Sequence, residues 1–274
     1  MIVECIHGLE LSRCDVCSPK TAPVVTVAAP VTRRVAAKLR TPARPAAASR
    51  RTAGAASAST VDLGEQRIYH LTHVNNLEGI LTRGAVLAPG SDAWDGVPTV
   101  DISSSTNREQ RAATPVAASD GPTVAHYVPF FLTPNATLWE ALRAREQDSR
   151  LTTATLAFAP AEFVILVSTV KGASRADEAA DSIAVSDGDA ADPHTRFGST
   201  SEDADRVLRR LVADKESPRF LEAEFLVKDN LPFDLITLVG VANDRARDAV
   251  RATLESSPYQ PRVAVYPPWF ARSE

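Results

Sequence analysis

Apolar residues recur along this chain at two spacings, every second residue in some stretches and every third to fourth in others. Residues 220–227 follow the first pattern. They predict a strand with Leu221, Ala223, Phe225 and Val227 on a core face. The other face then carries Glu222 and Glu224, two carboxylates roughly 6.5 Å apart and pointing the same way. Residues 67–72 predict a second strand, with Tyr69 and Leu71 on one side and His70 and Thr72 on the other. Residues 127–132 form a compact apolar run in which Pro129 argues for an edge position or a bulge. Residues 152–158, 163–170, 235–241 and 262–266 read as further strands, and 163–170 is continuous enough to be central. The longer spacing predicts helices. One follows a cap at Asn75 with Glu78 at capping-box distance, an inward stripe of Leu77, Ile80 and Leu81, and a stop at Gly84. Others cover 107–111, 137–142, 203–215 (Val207, Leu208, Leu211 and Val212 inward) and 244–254. Residues 88–106 and 171–205 read as loops, the second too long for a passive connector. The sum is an α+β body of six or seven short strands interrupted by helices, with no internal repeat.

Composition adds an asymmetry. The chain has 274 residues and a net charge of −4, yet 17–61 hold no Asp or Glu and carry Lys20, Arg33, Arg34, Lys38, Arg40, Arg44, Arg50 and Arg51. A basic arm is joined to an acidic body. Residues 20–61 are rich in Ala, Pro, Thr, Ser and Arg without apolar periodicity, which predicts a disordered linker that phosphates would attract. The three cysteines all precede residue 18. Cys5 and His7, followed by Cys14-x-x-Cys17, supply four ligands suited to a structural, tetrahedral zinc. Residues 1–19 are therefore a zinc-knuckle candidate, 20–61 a linker and 62–274 the folded domain. No run approaches the roughly 18 apolar residues of a membrane helix. The first residues lack the pattern of a secretory signal, so a cytoplasmic location is expected. The body has no Gly-x-Gly-x-x-Gly, no phosphate-binding P-loop, no serine nucleophile elbow and no cysteine.

Four blocks in order resemble one family. Tyr69-His70-Leu71-Thr72-His73-x-x-Asn76-Leu77-x-x-Ile80-x-x-x-Gly84 is similar to the opening motif of the DarT family of DNA ADP-ribosyltransferases. Arg111 and Val116, then Tyr127-Val128-Pro129-Phe130-Phe131, resemble its next block. Asp187-Gly188-Asp189-Ala190 resembles an Asp-Gly-x-Ala turn, and Ala223-Glu224-Phe225-Leu226-Val227 resembles the end of a Gln-Ala-Glu-Phe-Leu-Val strand. The resemblance implies two small packed sheets around an NAD cleft. It also implies transfer of ADP-ribose from NAD to a base of single-stranded DNA, thymidine in the best-known branch. By the same resemblance His70, Thr72, Asn76 and Gly79 hold NAD, Arg111 is an active-site cation and Glu224 is the catalytic acidic residue. Such proteins commonly act as toxins countered by a macrodomain antitoxin.

The chemistry is coherent with those residue types. Breaking the nicotinamide–ribose bond builds positive charge on the sugar, and a carboxylate at the 2′-hydroxyl stabilises it most when that charge is greatest. The acceptor nitrogen must also lose a proton, a task for a general base. Glu222 stands where the family usually has Gln, at a position that touches the acceptor. It leaves three acceptors open: thymidine, guanosine and a protein arginine. A non-catalytic nucleic-acid-binding module is the alternative of another class.

Overall fold

The structure is a computed structural model that describes residues 62–94, 98–117, 121–176 and 182–272. The zinc candidates Cys5, His7, Cys14 and Cys17 and the basic linker lie outside the described residues. In chain order the elements are β1 (Arg67–His73), α1 (Leu77–Arg83), β2 (Ala85–Leu87), α2 (Ser105–Ala113), β3 (Tyr127–Phe131), α3 (Thr137–Ala144), β4 (Phe163–Thr169) and α4 (Val170–Ala173). They continue with β5 (Ile183–Ser186), β6 (Phe197–Gly198), α5 (Ser201–Ala213), α6 (Pro218–Glu222), β7 (Glu224–Lys228), β8 (Asn230–Pro232), β9 (Leu238–Val241), α7 (Asp244–Glu255), β10 (Arg262–Val265) and α8 (Pro267–Phe270).

Eight strands form one sheet in the order β10-β9-β4-β1-β3-β7-β5-β6, and β2 pairs with β8 as a separate ribbon. Only β10 and β9 run parallel within the large sheet. This corrects the expectation of two sheets, though the sheet has a natural seam. β1 pairs with β4 along its whole length, but with β3 only at Tyr69 opposite Phe131. Pro129 lies on that side of β3 and has no N–H to give. The His70 ring takes over, its Nδ1 2.9 Å from the Pro129 carbonyl oxygen. Pro129 thus sits inside the sheet rather than at its edge, at the place where the ladder opens.

One face of the sheet carries the main core. Ile68, Phe130, Phe225 and Leu166 meet α1, α5 and α7 through Leu77, Leu208 and Val250. The opposite face holds two smaller clusters. One gathers Leu71, Ile165 and Val167 under Trp139 of α3 and Phe270 of α8; the other gathers Val116, Val124, Tyr127 and Leu226. β4 is buried on both faces and lies between β1 and β9, the central strand the sequence predicts.

Several elements differ from their sequence expectation, each for a local reason. The predicted strand at 220–227 begins only at Glu224. Ser217 caps α6 by accepting from the Phe220 N–H, and Pro218 occupies its first turn, so 218–222 is helical. Glu222 therefore closes a helix and does not share a strand face with Glu224. Residues 152–158 form a 3₁₀ helix (Thr153–Ala157), because the Thr152 hydroxyl accepts from the Thr155 N–H. The polar stretch 171–205 contains β5, held by pairing with β7, and β6, which pairs with β5; no local pattern announces either. The strand expected from 235 starts at 238, after a 3₁₀ turn (Phe233–Leu235). Helix α1 starts after a 3₁₀ turn (Val74–Asn76) instead of at an Asn75 cap. It ends as expected, at Gly84 with φ +73°, a conformation glycine adopts without strain.

His73 ends β1 as a buried, neutral ring. Its Nδ1 accepts from the Asn75 N–H at 3.2 Å, so the proton sits on Nε2, which has no hydrogen-bond partner among the described residues. Phe158 and Phe163 flank the ring at 4.5 and 5.3 Å. Burial pushes its pKa below the ordinary histidine value, against a smaller opposing pull from Glu162. An unfolded chain takes up that proton first, so stability falls as pH drops below about 6.5 and levels off once the folded ring also titrates. The thermal midpoint is expected to fall between about pH 7 and pH 5, and His73→Phe to fall less over the same interval. Identical slopes in the two proteins would refute this account.

Candidate active site

Glu224 is the first residue of β7 and is 4% exposed; Arg111 on α2 is 8% exposed. Their side chains meet in a two-pronged ion pair, Nη1 to Oε1 and Nη2 to Oε2, both at 3.0 Å. The fork of the guanidinium matches the carboxylate, which makes this geometry both strong and directional. Helix α2 is polar, and a sequence reading would leave it in solvent. Its only buried residues, Asn107 and Arg111, are four apart and therefore share one face. Ser104 caps the helix by accepting from the Asn107 N–H, and Asn107 Nδ2 donates to Ser103 Oγ. Asn107 Oδ1 is buried with no donor partner among the described residues.

The backbone around Glu224 is equally constrained. Its N–H donates to Ser186 Oγ at 2.8 Å, and that hydroxyl donates to the Gly188 carbonyl at 2.7 Å. The Ala190 N–H donates to Glu224 Oε1 at 3.3 Å. The Asp187-Gly188-Asp189-Ala190 turn thus wraps the carboxylate. The turn is tied down in its own right, Asp187 pairing with Arg219 of α6 at 2.8 Å.

Arg150, which the sequence reading passed over, supports the same site. Its Nε and Nη2 donate to the two oxygens of Asp148 at 2.9 and 2.7 Å, and Nη1 to Asp189 at 3.3 Å. Burial would lower the Arg150 pKa, but Asp148, Asp189 and Glu224 outweigh it, and the net direction is upward. The hydrogen bonds from Arg150 in turn hold the Asp148 carboxyl below its ordinary range. The Asp148-x-Arg150 spacing was the signal available, but a pair two residues apart in a loop does not reveal what it faces.

The other predicted residues fall into two groups. His70 lies at the seam between β1 and β3. Since a carbonyl only accepts, its Nδ1 carries the proton, and Nε2 is left as an acceptor. Burial lowers its pKa, with the Pro129 hydrogen bond acting the other way. Thr72 and Asn76 are tied together, Asn76 Nδ2 donating to Thr72 Oγ1 at 3.1 Å. The same amide also exchanges hydrogen bonds with the Val100 backbone at 2.9 and 2.8 Å, so Asn76 clamps the loop leading to α2. Gly79 lies within α1, where its carbonyl accepts from Arg83. Glu222, at the end of α6, is half-buried and makes no described contact with Glu224.

A single row links the site to the rest of the sheet. Directly paired residues share a face, and Glu224 pairs with Phe131, Phe131 with Tyr69, and Tyr69 with Val167. A small cavity of about 10 Å³ lies beside this row, lined by Tyr69, Phe131, Trp139 and neighbours. A wider cavity of about 410 Å³, lined by Phe233, Asp234, Tyr259 and Gln260 among others, includes none of the candidate site residues. Among the described residues no group of three or more His, Cys, Asp or Glu is placed to hold a metal ion. No helix among them is long and apolar enough to cross a membrane.

Comparison with known proteins follows the same outline. The family model described as "ssDNA thymidine ADP-ribosyltransferase, DarT" matches residues 69–271. A DNA ADP-ribosyl transferase of Thermus aquaticus is 27% identical over 212 residues, 74% of this chain and 88% of that protein. Among solved structures, DarT of Thermus sp. 2.9 in complex with ADP-ribosylated single-stranded DNA superposes with a TM-score of 0.61 at 24% identity, covering 75% of this chain and 96% of that one. The same protein in complex with NAD+ gives 0.58 at 23%, covering 75% and 98%.

Removing Glu224 alone strands a buried guanidinium without its counter-charge. Glu224→Leu is expected to cost about 3–5 kcal/mol, and the double variant Arg111→Met with Glu224→Leu to recover most of it. Urea denaturation of the single and double variants measures both. Additive losses would mean the pair is not energetically coupled.

Proposed function

This chain belongs to the DarT family, and on that premise we propose that it transfers ADP-ribose from NAD to the thymine base of single-stranded DNA. The observation that carries the reading is the buried, two-pronged Arg111–Glu224 pair with the 187–190 turn closed around it. A carboxylate withdrawn from water acts more strongly on a developing cation than an exposed one. When NAD binds, one oxygen of Glu224 keeps its bond to Arg111 and the other turns to the ribose 2′-hydroxyl. The bond from ribose C1′ to nicotinamide breaks, its electron pair leaving with the nicotinamide nitrogen. The thymine ring nitrogen attacks C1′ and gives its proton to Glu224, while Arg111 steadies the charge left on the base.

His70 fits the NAD side of this scheme, because its free Nε2 accepts a hydrogen bond at neutral pH. We assign Thr72, Asn76 and Gly79 to NAD as well, the first two being tied together by a hydrogen bond, and Asn107 Oδ1 offers a further acceptor. We assign acceptor contact to Glu222. The alternative in which a protein arginine is modified rests on Glu222 standing where the family usually has Gln; the family model that matches this chain, whose description names thymidine of single-stranded DNA, favours the base. A paired base cannot present its Watson–Crick edge, which supports a single-stranded substrate. We assign catalysis to residues 62–274. The basic stretch 20–61 would draw DNA to this acidic body by counterion release, and residues 1–19 would hold a structural zinc. A toxin role, reversed by a macrodomain partner that removes the mark, completes the proposal.

Incubation with labelled NAD and single-stranded oligonucleotides of each base should label those containing thymidine. Glu224→Ala should lower transfer by about a thousandfold or more, and Glu222→Gln should alter the rate or the acceptor choice. Label on guanosine or on protein alone would replace the thymidine reading, and full activity in Glu224→Ala would end the site assignment.

A further inference from the structure

Three aromatic side chains lie on the face of the sheet that carries Glu224, and the scheme above does not use them. Trp269 of α8 lies against Gly240 of β9. A Cβ on that glycine would fall 2.7 and 2.9 Å from its Cζ3 and Cε3, so the bare backbone is what lets the indole settle there. Tyr266 stacks on Trp269 with ring centres 4.3 Å apart and planes at 13°. Tyr69 meets Trp269 edge-on at 5.6 Å and 90°. None of the three is fully buried. Burial pushes the Tyr69 pKa up, and the nearby Arg67, on an exposed residue, pulls it the other way, which puts a cation beside the group.

The row described above gives the direction. Tyr69 and Glu224 are two strands apart, about 10 Å, with Phe131 between them. Even at the roughly 3.4 Å rise of a fully stacked strand, the aromatic group begins within about three nucleotides of a base attacked at Glu224, and within fewer if the strand is extended. Tyr266 and Trp269 are already in face-to-face contact, so a base can add only on an outer face of the pair, extending the stack beside an arginine without regard to base identity. We infer that Tyr266 and Trp269, reached across Tyr69, form a stacking platform for bases of the single strand that flank the acceptor. This rests on the single-stranded DNA reading and goes beyond it. It gives the enzyme a second hold on its substrate, one that short oligonucleotides cannot use.

The test compares Tyr266→Leu, Tyr266→Phe and the unsubstituted protein on thymidine oligonucleotides from about 4 to about 12 nucleotides. KM for the oligonucleotide and KM for NAD are measured separately, and binding is followed by quenching of tryptophan fluorescence. The unsubstituted protein should bind the longer oligonucleotides more tightly. Tyr266→Leu should raise the oligonucleotide KM about tenfold on the long substrates and little on the shortest, while Tyr266→Phe keeps the advantage. A KM that is unchanged at every length, or that rises equally at every length, would overturn the platform and leave the DNA reading standing. Failure of the unsubstituted protein to bind or label any oligonucleotide would overturn the DNA reading itself.

Discussion

The arrangement depends on a charge pair placed where charge is costly. A guanidinium and a carboxylate, both withdrawn from water, lose hydration that their mutual attraction repays only if geometry is good and other groups complete the hydrogen bonding. Here Arg111 supplies both prongs and the Ala190 N–H adds a third donor. Meeting those conditions ties together three separate stretches of chain: α2, the 186–190 turn and the start of β7. Apolar side chains of similar volume often hold such elements together about as well. A buried ion pair that is not needed for stability points toward chemistry, and the family match gives that chemistry its form.

The second constraint is the seam in the sheet. Between β1 and β3 one backbone pair replaces a ladder, because Pro129 has no N–H and the strands part beyond Phe131. The His70 ring closes part of the gap to the Pro129 carbonyl. An opened ladder leaves backbone groups that need partners, which makes such a seam a natural place for a polar ligand. Asn76 then fixes the loop that leads to α2, so the strand bearing His70 and the helix bearing Arg111 are set by one amide. The cluster of Arg150 with Asp148 and Asp189 acts similarly on the turn that caps Glu224.

Much of this was legible in one dimension. Alternation in 67–72 correctly put Tyr69 and Leu71 on one face, and the continuous run at 163–170 is the central strand, because a strand buried on both faces has no polar positions to spare. The stripe of Leu208, Leu211 and Val212 and the glycine stop at Gly84 are also as expected. The expectation failed where a short local signal competed with a longer pattern. Ser217-Pro218 turned an apparent alternation into a helical turn, and Thr152 did the same for the stretch that follows it. In both cases a capping hydroxyl satisfied backbone N–H groups that a strand would have had to pair elsewhere.

The sequence by itself determined the helices with apolar stripes, the central strand and the family, and it singled out Arg111 and Glu224 as candidates, because each leaves a mark in its own short stretch of chain. Only the tertiary structure decided that these two groups are 113 positions apart in sequence yet share two hydrogen bonds. It also separated Glu222 from Glu224, recruited Arg150, and set Tyr266 and Trp269 on the same face as the carboxylate. Those outcomes follow from strand order and from the twofold alternation of side chains across paired strands. Both are properties of the assembled sheet, and no single stretch of chain contains them.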